Sequence, residues 1–403
     1  MTDAHETVRV ALLVVGGGPA ALSAARAFRE HGGQGPVWLV SDDDTRPYLR
    51  PPLSKEYLRC ESTEADLPLT DDAFYAEQDI DLRLGTMVTS LAADDRSAAL
   101  SDGAEVTFDH CVLATGNSPA PLPVPGTDDP RVRYLRSLDS ARALREAAGG
   151  ARSAVVVGSG FIGCEAAVSL ARLGLSVTVC SLEPAPQSER LGEGASDRLS
   201  RWLREEGVTV FGSTEVTGVE DGRIVHVQGH PPISSDLVLV AAGVEPRSTL
   251  AVAAGLDVQR DRVVVDETMR SSVAAVLAAG DVAYARNAAA GRHLVVEHWG
   301  DAEEMGSIAG ATAAGATARW DTPPGFWTVI GDRVLKYAGW GDGWDRFELI
   351  EHDDGGFTVW YSSRDTIVGV ATHDADDDFE RGSELVRTGA ALAGAPSGQP
   401  PQA

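Results

Sequence analysis

Residues 8–32 read VRVALLVVGGGPAALSAARAFREHG, and this stretch decides the fold. A β-branched apolar run at 8–15 is followed by a glycine-rich turn and then by an alanine-rich segment with apolar residues at helical spacing. A continuous apolar strand is typical of a parallel sheet that is covered on both faces. The stretch therefore predicts the βαβ opening of a doubly wound α/β fold.

The turn in this stretch has the residue types that a dinucleotide requires. Gly16 permits a tight turn, Gly18 lets backbone N–H groups approach a pyrophosphate, and the small Ala21 lets the helix pack close to the strand. The next apolar run, VWLV, ends in SDDD, where Asp42 is placed to accept a hydrogen bond from a ribose hydroxyl. Glycine spacing alone is weak, but strand, helix and acidic end together predict a dinucleotide site.

A second segment, SAVVVGSGFIGCEAAVSLARLGLSVTVCSLE at 153–183, repeats this organisation. All three glycines of the motif are present, as Gly158, Gly160 and Gly163. Two dinucleotide sites in one chain predict a bound flavin and a visiting nicotinamide nucleotide, because hydride transfer needs the two rings close together and little acid–base help.

The end of the second motif leaves the nicotinamide preference open. An acidic residue there would bond the ribose 2′-hydroxyl of NADH and repel the 2′-phosphate of NADPH. This chain has Ser181 at that position and Glu183 two residues later. The residue at the motif's end therefore does not repel the 2′-phosphate of NADPH. Arg190 could reach a phosphate or could lie on a solvated face. Both NADH and NADPH remain possible co-substrates.

Composition excludes several other classes of function. The net charge of −26 would repel nucleic acid and an anionic membrane surface, and it predicts an acidic, solubilising exterior. The cysteines, Cys60, Cys111, Cys164 and Cys180, are too widely spaced for a CxxC or CxxxxC pair. We therefore expect neither a zinc site nor a local redox disulfide, and we expect a reducing compartment.

No apolar run approaches the length of a membrane span, and the first residues lack the pattern of a signal peptide. We expect a cytoplasmic monomer or homodimer without a bound metal. Further strands that run into a glycine at a sheet edge are predicted within 111–116, 236–246 and 272–281. We expect an FAD-binding domain formed by residues 1–119 and 246–320, and an NAD(P)H-binding domain over 120–245. A small α+β domain is expected over 321–390, and a disordered tail over 391–403.

Several short motifs resemble, in order, those of the FAD-dependent ferredoxin and rubredoxin reductases that oxidise NAD(P)H, a family related to apoptosis-inducing factor. They are RPYLRPPLSK at 46–55, ATG at 114–116, GSGFIGCE at 158–165, AAGD at 278–281 and EHW at 297–299. The resemblance covers about residues 8–320. It implies two Rossmann-like domains of the glutathione-reductase type, a small α+β C-terminal domain, FAD, NADH or NADPH as co-substrate, and a ferredoxin-type iron–sulfur partner.

The resemblance also implies that Lys55 lies beside the flavin and pairs with Glu165. A fixed cation about 4 Å from a reduced flavin, at an effective dielectric near 20, stabilises it by about 4 kcal/mol. An unpaired buried lysine would be costly, so Glu165 would balance it. Pro51 and Pro52 would limit the movement of the chain before Lys55 by fixing φ. The alternative is a solvated lysine at the start of a helix.

The same matching assigns other residues. Arg50 would contact the FAD pyrophosphate, Asp281 would accept from the ribityl chain, and His298 would be structural because hydride transfer needs no general base. Ile162, Glu165 and Gly243 would contact the nicotinamide half, whereas Glu297 and Trp299 would line the ring faces. The remaining expected cofactor-binding residues are Pro19, Ala20, Val88, Ala114, Thr115, Gly116, Phe161, Gly280, His298 and Trp327.

One segment departs from the family pattern. Where many relatives have PYFWSDQ, this chain has PGFWTVIGDR at 324–333, so the aromatic Trp327 is kept but the serine, aspartate and glutamine are gone. Trp340 and Trp344 could form a docking surface or belong to the core of the small domain. Three functions follow: a reductase of an iron–sulfur protein that could serve a cytochrome P450 or an oxygenase, an oxidase or diaphorase acting on small acceptors, and a redox-sensing interaction protein.

Overall fold

The computed structural model describes residues 8–390, and the predicted tail lies outside them. Its α-helices are α1 (Pro19–Glu30), α2 (Asp72–Glu77), α3 (Leu138–Gly149), α4 (Phe161–Arg172), α5 (Ser188–Glu205), α6 (Thr249–Ala253), α7 (Trp299–Ala313) and α8 (Asp376–Thr388). Its short 3-10 helices are Pro51–Ser54, Glu64–Asp66 and Gly280–Val282. Among the described residues, no helix is long and apolar enough to cross a membrane.

The strands are β1 (Val8–Val15), β2 (Val37–Val40), β3 (Ile80–Arg83), β4 (Val88–Ala92), β5 (Ser97–Leu100), β6 (Glu105–Leu113), β7 (Asn117–Pro119), β8 (Val132–Tyr134), β9 (Ser153–Val157), β10 (Ser176–Cys180), β11 (Thr209–Phe211), β12 (Val216–Glu220), β13 (Ile224–Val227), β14 (Ile233–Ser234), β15 (Leu237–Val240), β16 (Val244–Pro246), β17 (Val258–Gln259), β18 (Arg262–Val265), β19 (Val276–Ala278), β20 (Ala283–Asn287), β21 (Arg292–Val295), β22 (Gly325–Ile330), β23 (Arg333–Gly339), β24 (Arg346–Glu351), β25 (Phe357–Ser363) and β26 (Thr366–His373).

The chain divides into two compact units. The first unit contains residues 8–49 together with Leu67–Ser118 and Glu245–Pro324. The second unit contains Arg50–Asp66, Pro119–Val244 and residues 325–390.

The first unit is built on a sheet with the order β3-β2-β1-β6-β5-β4, in which β19 also pairs with β6. Strand β1 runs parallel to β2 and β6, with Leu13 opposite both Trp38 and Cys111. Strand β2 is buried along its whole length, and β1 is buried at Val10 and from Leu12 to Val15, as expected for the centre of a parallel sheet. The predicted βαβ opening is confirmed over β1, α1 and β2.

Helices α1 and α7 pack closely in the first unit because α7 presents glycines to α1. A Cβ atom at Gly306 would lie 2.3 Å from the Ala20 carbonyl oxygen, and one at Gly310 would lie 2.0 Å from that of Ala24. Neither distance is possible for a real Cβ atom, so glycine is required for the two backbones to touch.

The second unit contains a parallel sheet with the order β11-β10-β9-β15-β8. Strand β9, helix α4 and strand β10 confirm the second predicted βαβ unit.

Beyond residue 324, an antiparallel sheet, β22-β23-β26-β25-β24, is accompanied by α8. Trp340 packs against a buried cluster that includes Trp360 and Val370. For Trp340, this placement agrees with the core interpretation.

Candidate functional site

The glycine-rich turn of the first unit joins β1 to α1 with the geometry that a pyrophosphate needs. Gly16 has φ +133°, and a Cβ there would lie 2.1 Å from the Ala114 carbonyl oxygen. A Cβ at Gly18 would meet nothing within 4 Å, so the space in front of the helix is open. Gly18 is the N-cap of α1 without a side-chain cap, and Pro19 occupies the first turn. The helix start fits an anionic group.

The ATG segment lies directly behind this turn. The Ala114 amide donates to the Val15 carbonyl over 2.8 Å, which fixes the end of β6 against the end of β1. The Thr115 hydroxyl donates to the Arg247 carbonyl over 2.7 Å, and Gly116 accepts from the Arg247 amide. Asn117 follows at once, and neither polar atom of its buried side-chain amide has a hydrogen-bond partner within the described residues. An orphaned buried amide of this kind fits a site that binds a polar ligand.

Asp42 is exposed one residue after Ser41 at the end of β2, where the sequence predicts a ribose acceptor. Its carboxylate forms an ion pair with Arg247, which the sequence did not indicate. Val88 is buried at the start of β4. The amide of Thr86, two residues earlier, donates to the Ser41 carbonyl over 2.8 Å, which brings the start of β4 close to the end of β2.

Asp281 and Glu297 are connected by a buried arginine that sequence reasoning missed. Nε of Arg262 donates to the Asp281 carbonyl over 3.0 Å, and the guanidinium also forms an ion pair with Glu297. Gly280, before Asp281, has φ +74°, and a Cβ there would lie 3.2 Å from the Cβ of Ala20 on α1. The AAGD motif is thus held close to the first helix.

His298 is the N-cap of α7, and Trp299 is its first residue. The imidazole Nδ1 lies 3.0 Å from a carboxylate oxygen of the buried Asp301. This local contact supports the interpretation of His298 as a structural residue.

The second glycine-rich turn has the same geometry in the second unit. Gly158 has φ +110°, and Gly163 packs so closely that a Cβ would lie 2.3 Å from the Gly158 carbonyl oxygen. Gly160 is the N-cap of α4 without a side-chain cap, and Phe161 and the exposed Ile162 follow. Gly243 has φ +127° and open space where a Cβ would be. This helix start also fits a pyrophosphate.

Ser181 is buried, and its hydroxyl lies 2.6 Å from that of Ser159 in the turn. The Glu183 carboxylate accepts from the Ser188 hydroxyl over 3.2 Å and from the Glu189 amide over 3.1 Å. A negative charge is therefore anchored two residues beyond Ser181. Arg190 is exposed in the first turn of α5. Burial raises the pKa of Tyr337 to about 12, and the positive charge of Arg190 acts in the opposite direction on that pKa.

The second unit also contains the Lys55–Glu165 pair, and both residues are only 6% exposed. Lys55 follows the 3-10 helix that begins with the two prolines, and its Nζ lies 2.8 Å from Glu165 Oε2. The Ser54 hydroxyl donates to the same oxygen over 2.5 Å. Lys55 is therefore not a solvated lysine. Arg50 precedes the prolines and donates to the Arg136 carbonyl over 3.1 Å.

Strand β22 supplies two further donors to Glu165. The Thr328 hydroxyl lies 2.8 Å from Oε1, and the Val329 amide lies 3.3 Å from the same oxygen. The neighbouring Trp327 is 45% exposed. Thr328 thus provides a hydroxyl in the segment where many relatives have the serine of PYFWSDQ.

Sequence reasoning missed Ser54, Thr328, Arg247 and Arg262. Only the position of Ser54, inside the PPLSK motif, offered a signal.

The cysteines do not form a redox centre. All four are free, and Cys111, Cys164 and Cys180 are buried. Burial raises the pKa of the Cys111 and Cys164 thiols, and it raises that of Cys180 to about 11. Such thiols are poor nucleophiles at neutral pH. Within residues 8–390, no cluster of His, Cys, Asp and Glu could hold a metal ion.

Residues 10–315 match the family described as pyridine nucleotide-disulphide oxidoreductase. The chain belongs to this family. Among its relatives, rubredoxin-NAD(+) reductase of Pseudomonas putida is 33% identical over 335 residues, covering 82% of this chain and 86% of the relative. Putidaredoxin reductase of Pseudomonas putida is 31% identical over 388 residues, covering 93% of this chain and 91% of the relative.

The fold is also similar to that of a solved family member. The crystal structure of the covalent putidaredoxin reductase–putidaredoxin complex matches with a TM-score of 0.89 and 30% sequence identity. The match covers 95% of this chain and 94% of the solved chain. The resemblance found from the short motifs is therefore confirmed, together with the α/β fold class.

Proposed function

We propose that this protein is an FAD-dependent NAD(P)H reductase of an iron–sulfur protein of the ferredoxin or rubredoxin class. The observation that carries the proposal is the presence of two glycine-rich helix starts, at Gly18 and Gly160, one in each unit. A bound FAD would supply the acceptor for the hydride of NAD(P)H and the capacity to pass electrons one at a time to the iron–sulfur partner.

The first unit has the residues for FAD. The first-turn N–H groups of α1 bind the pyrophosphate, and Asp42, held by Arg247, orients the ribose. Arg262 fixes the backbone carbonyl of Asp281, and the Asp281 carboxylate accepts a hydrogen bond from the ribityl chain. The orphaned amide of Asn117 provides one more donor and one more acceptor.

The second unit has the residues for the nicotinamide nucleotide. The first-turn N–H groups of α4 bind its pyrophosphate, and the anchored carboxylate of Glu183 favours NADH over NADPH by repelling a 2′-phosphate. Lys55 holds a positive charge that favours the electron-rich flavin ring. An ammonium has three N–H bonds, and within the described residues Nζ contacts only Glu165 and, at 3.5 Å, Ser54. At least one N–H bond of Lys55 is thus left for a ligand.

The iron–sulfur partner rests on the relatives, which are named as reductases of rubredoxin and putidaredoxin. The four free cysteines, which include the exposed Cys60, support a cytoplasmic location.

The test is steady-state reduction of cytochrome c by NADH, with and without an added rubredoxin or [2Fe–2S] ferredoxin. We expect the rate to depend on the iron–sulfur protein and to saturate with it. A rate that is unchanged by every such protein, but high with quinones or oxygen, would instead identify a diaphorase or an oxidase. Turnover far slower than in other reductases, with a change of size upon reduction, would identify a redox sensor.

A further inference from the structure

We infer that Thr328 of the C-terminal sheet is a positioning residue for the Lys55–Glu165 pair. Its hydroxyl and the Val329 amide hold Glu165 Oε1, so that Oε2 is presented to Lys55. This inference rests on the proposed function, because it assigns a supporting role to a residue next to the proposed flavin-activating lysine.

The hydrogen bonds around Glu165 show why such support is needed. A carboxylate offers about four lone-pair sites. At Glu165, two donors lie on each oxygen: Lys55 and Ser54 on Oε2, and Thr328 and Val329 on Oε1. The carboxylate is thus fully satisfied without bulk water, although it is 6% exposed.

Each donor restricts the rotation of the carboxylate in a different way. Ser54 and Lys55 are sequence neighbours and approach Glu165 from one side, whereas Thr328 and Val329 lie on a strand more than 160 positions after Glu165 in the chain. If the bonds to Oε1 were lost, the carboxylate could rotate about its terminal bond while it kept a single contact to Lys55. The direction of the lysine would then no longer be fixed.

Burial makes the Thr328 bond effective. Thr328 is 0% exposed, so no water replaces its hydroxyl when it is removed. A hydrogen bond to a charged acceptor is stronger than one between neutral groups, and a buried carboxylate that loses a donor suffers the desolvation penalty in full.

The chain offers an unusually direct reporter, since Lys55 and Lys336 are its two lysines. Protein labelled with ¹³C-lysine gives two sets of Cε signals, and Lys336 is half-buried in β23 and paired with Asp376. We expect Thr328→Val to move the Lys55 signal by more than its line width, and Thr328→Ser to restore the wild-type position. We also expect flavin reduction by NADH to slow by about tenfold in Thr328→Val, the effect of one lost bond to a charged group.

Thr372→Val is the matched control. Thr372 is buried in the same sheet, and its hydroxyl has no hydrogen-bond partner among residues 8–390. The substitution should leave the Lys55 signal and the reduction rate unchanged. If Thr328→Val does not fold, Thr328→Ala removes the same hydroxyl with less steric change.

An unchanged Lys55 signal in the hydroxyl-free variants, or an equal change in Thr372→Val, would overturn the inference. The lysine signals do not depend on hydride transfer. If NADH does not reduce the wild-type protein, the proposed function is refuted. The ¹³Cε signal of Lys55 still tests, in that case, whether Thr328 positions the lysine.

Discussion

At the scale of single residues, Lys55 illustrates how a charge can be kept inside a protein. An isolated buried ammonium is strongly disfavoured, but Glu165 lies 2.8 Å away and is itself held by Ser54, Thr328 and Val329. Removing one partner of such a pair leaves an uncompensated charge, whereas removing both charges can be nearly neutral for stability. A role in stability and a role in catalysis can therefore be separated by mutation.

We predict that Lys55→Met lowers the free energy of unfolding by about 3 kcal/mol, and that the double variant Lys55→Met/Glu165→Gln recovers most of this loss. Both variants should retain FAD, and both should be reduced by NADH at least about tenfold more slowly than wild type. Denaturant unfolding and stopped-flow absorbance measure the two effects. Lys336→Met is the control, and a double variant reduced at the wild-type rate would remove Lys55 from the reaction.

Glu183 sets the expected nicotinamide preference. Its carboxylate is anchored by the Ser188 hydroxyl and the Glu189 amide near the end of β10. We predict that Glu183→Gln raises kcat/KM for NADPH by about fivefold, corresponding to ~1 kcal/mol of repulsion near the surface, and changes that for NADH by less than about twofold.

Steady-state kinetics with both nucleotides measure this change. The exposed Glu193 on α5 provides the control variant, Glu193→Gln. An equal gain in both variants would show a general charge effect, and no gain for NADPH in Glu183→Gln would show that Glu183 does not set the preference.

At the scale of elements, the contact between α1 and α7 determines how close the AAGD segment comes to the first glycine-rich turn. Gly306 and Gly310 of α7 allow the two helix backbones to touch. Gly280, in the AAGD segment, packs on Ala20 of α1. Gly306 and Gly310 lie far along the chain from the turn, in the part of α7 that follows the EHW motif.

We predict that Gly306→Ala destabilises the protein by about 1–3 kcal/mol and weakens FAD binding, because the new Cβ forces α7 away from α1. Gly300→Ala in the same helix is the control: its Cβ would meet nothing within 4 Å, so stability should be unchanged or slightly increased. Thermal unfolding and titration of the apoprotein with FAD measure both effects. Equal behaviour of the two variants would contradict the packing argument.

The elements that the sequence predicted best were those with a local signal. The strand–turn–helix pattern at 8–32 and its repeat at 153–183 follow from periodicity and glycine spacing alone, and both are present. The α7 glycines could not be assigned a partner in this way, because nothing within a few residues of Gly306 indicates Ala20.

At the scale of the whole molecule, most contacts of the candidate site join residues that are far apart in the sequence, so no local pattern predicts them. The Lys55–Glu165 pairing came from a resemblance, since the residues are 110 positions apart. The supporting contacts from Thr328 and Arg262 required the three-dimensional structure, because a single serine, threonine or arginine has no periodic signature. Asp42 was identified from its place after β2, but its ion pair with Arg247, 205 positions away, was not.

The family includes disulphide reductases by name, and the cysteines predict how this chain differs from them. Burial raises the pKa of Cys111, Cys164 and Cys180, so their thiols stay protonated at neutral pH. We predict that iodoacetamide at neutral pH modifies only the exposed Cys60, and that the modified protein is still reduced by NADH at the wild-type rate. Mass spectrometry after alkylation, followed by stopped flow, measures this, and loss of flavin reduction upon Cys60 labelling would contradict it.

We propose that one chain holds FAD and takes a hydride from a nicotinamide nucleotide. Anaerobic stopped-flow mixing of the purified protein with NADH measures both properties in one experiment. We expect a yellow protein whose flavin absorbance bleaches in a single turnover, faster with NADH than with NADPH. A protein that contains no flavin and takes none up, or a bound flavin that neither nucleotide bleaches, would contradict it.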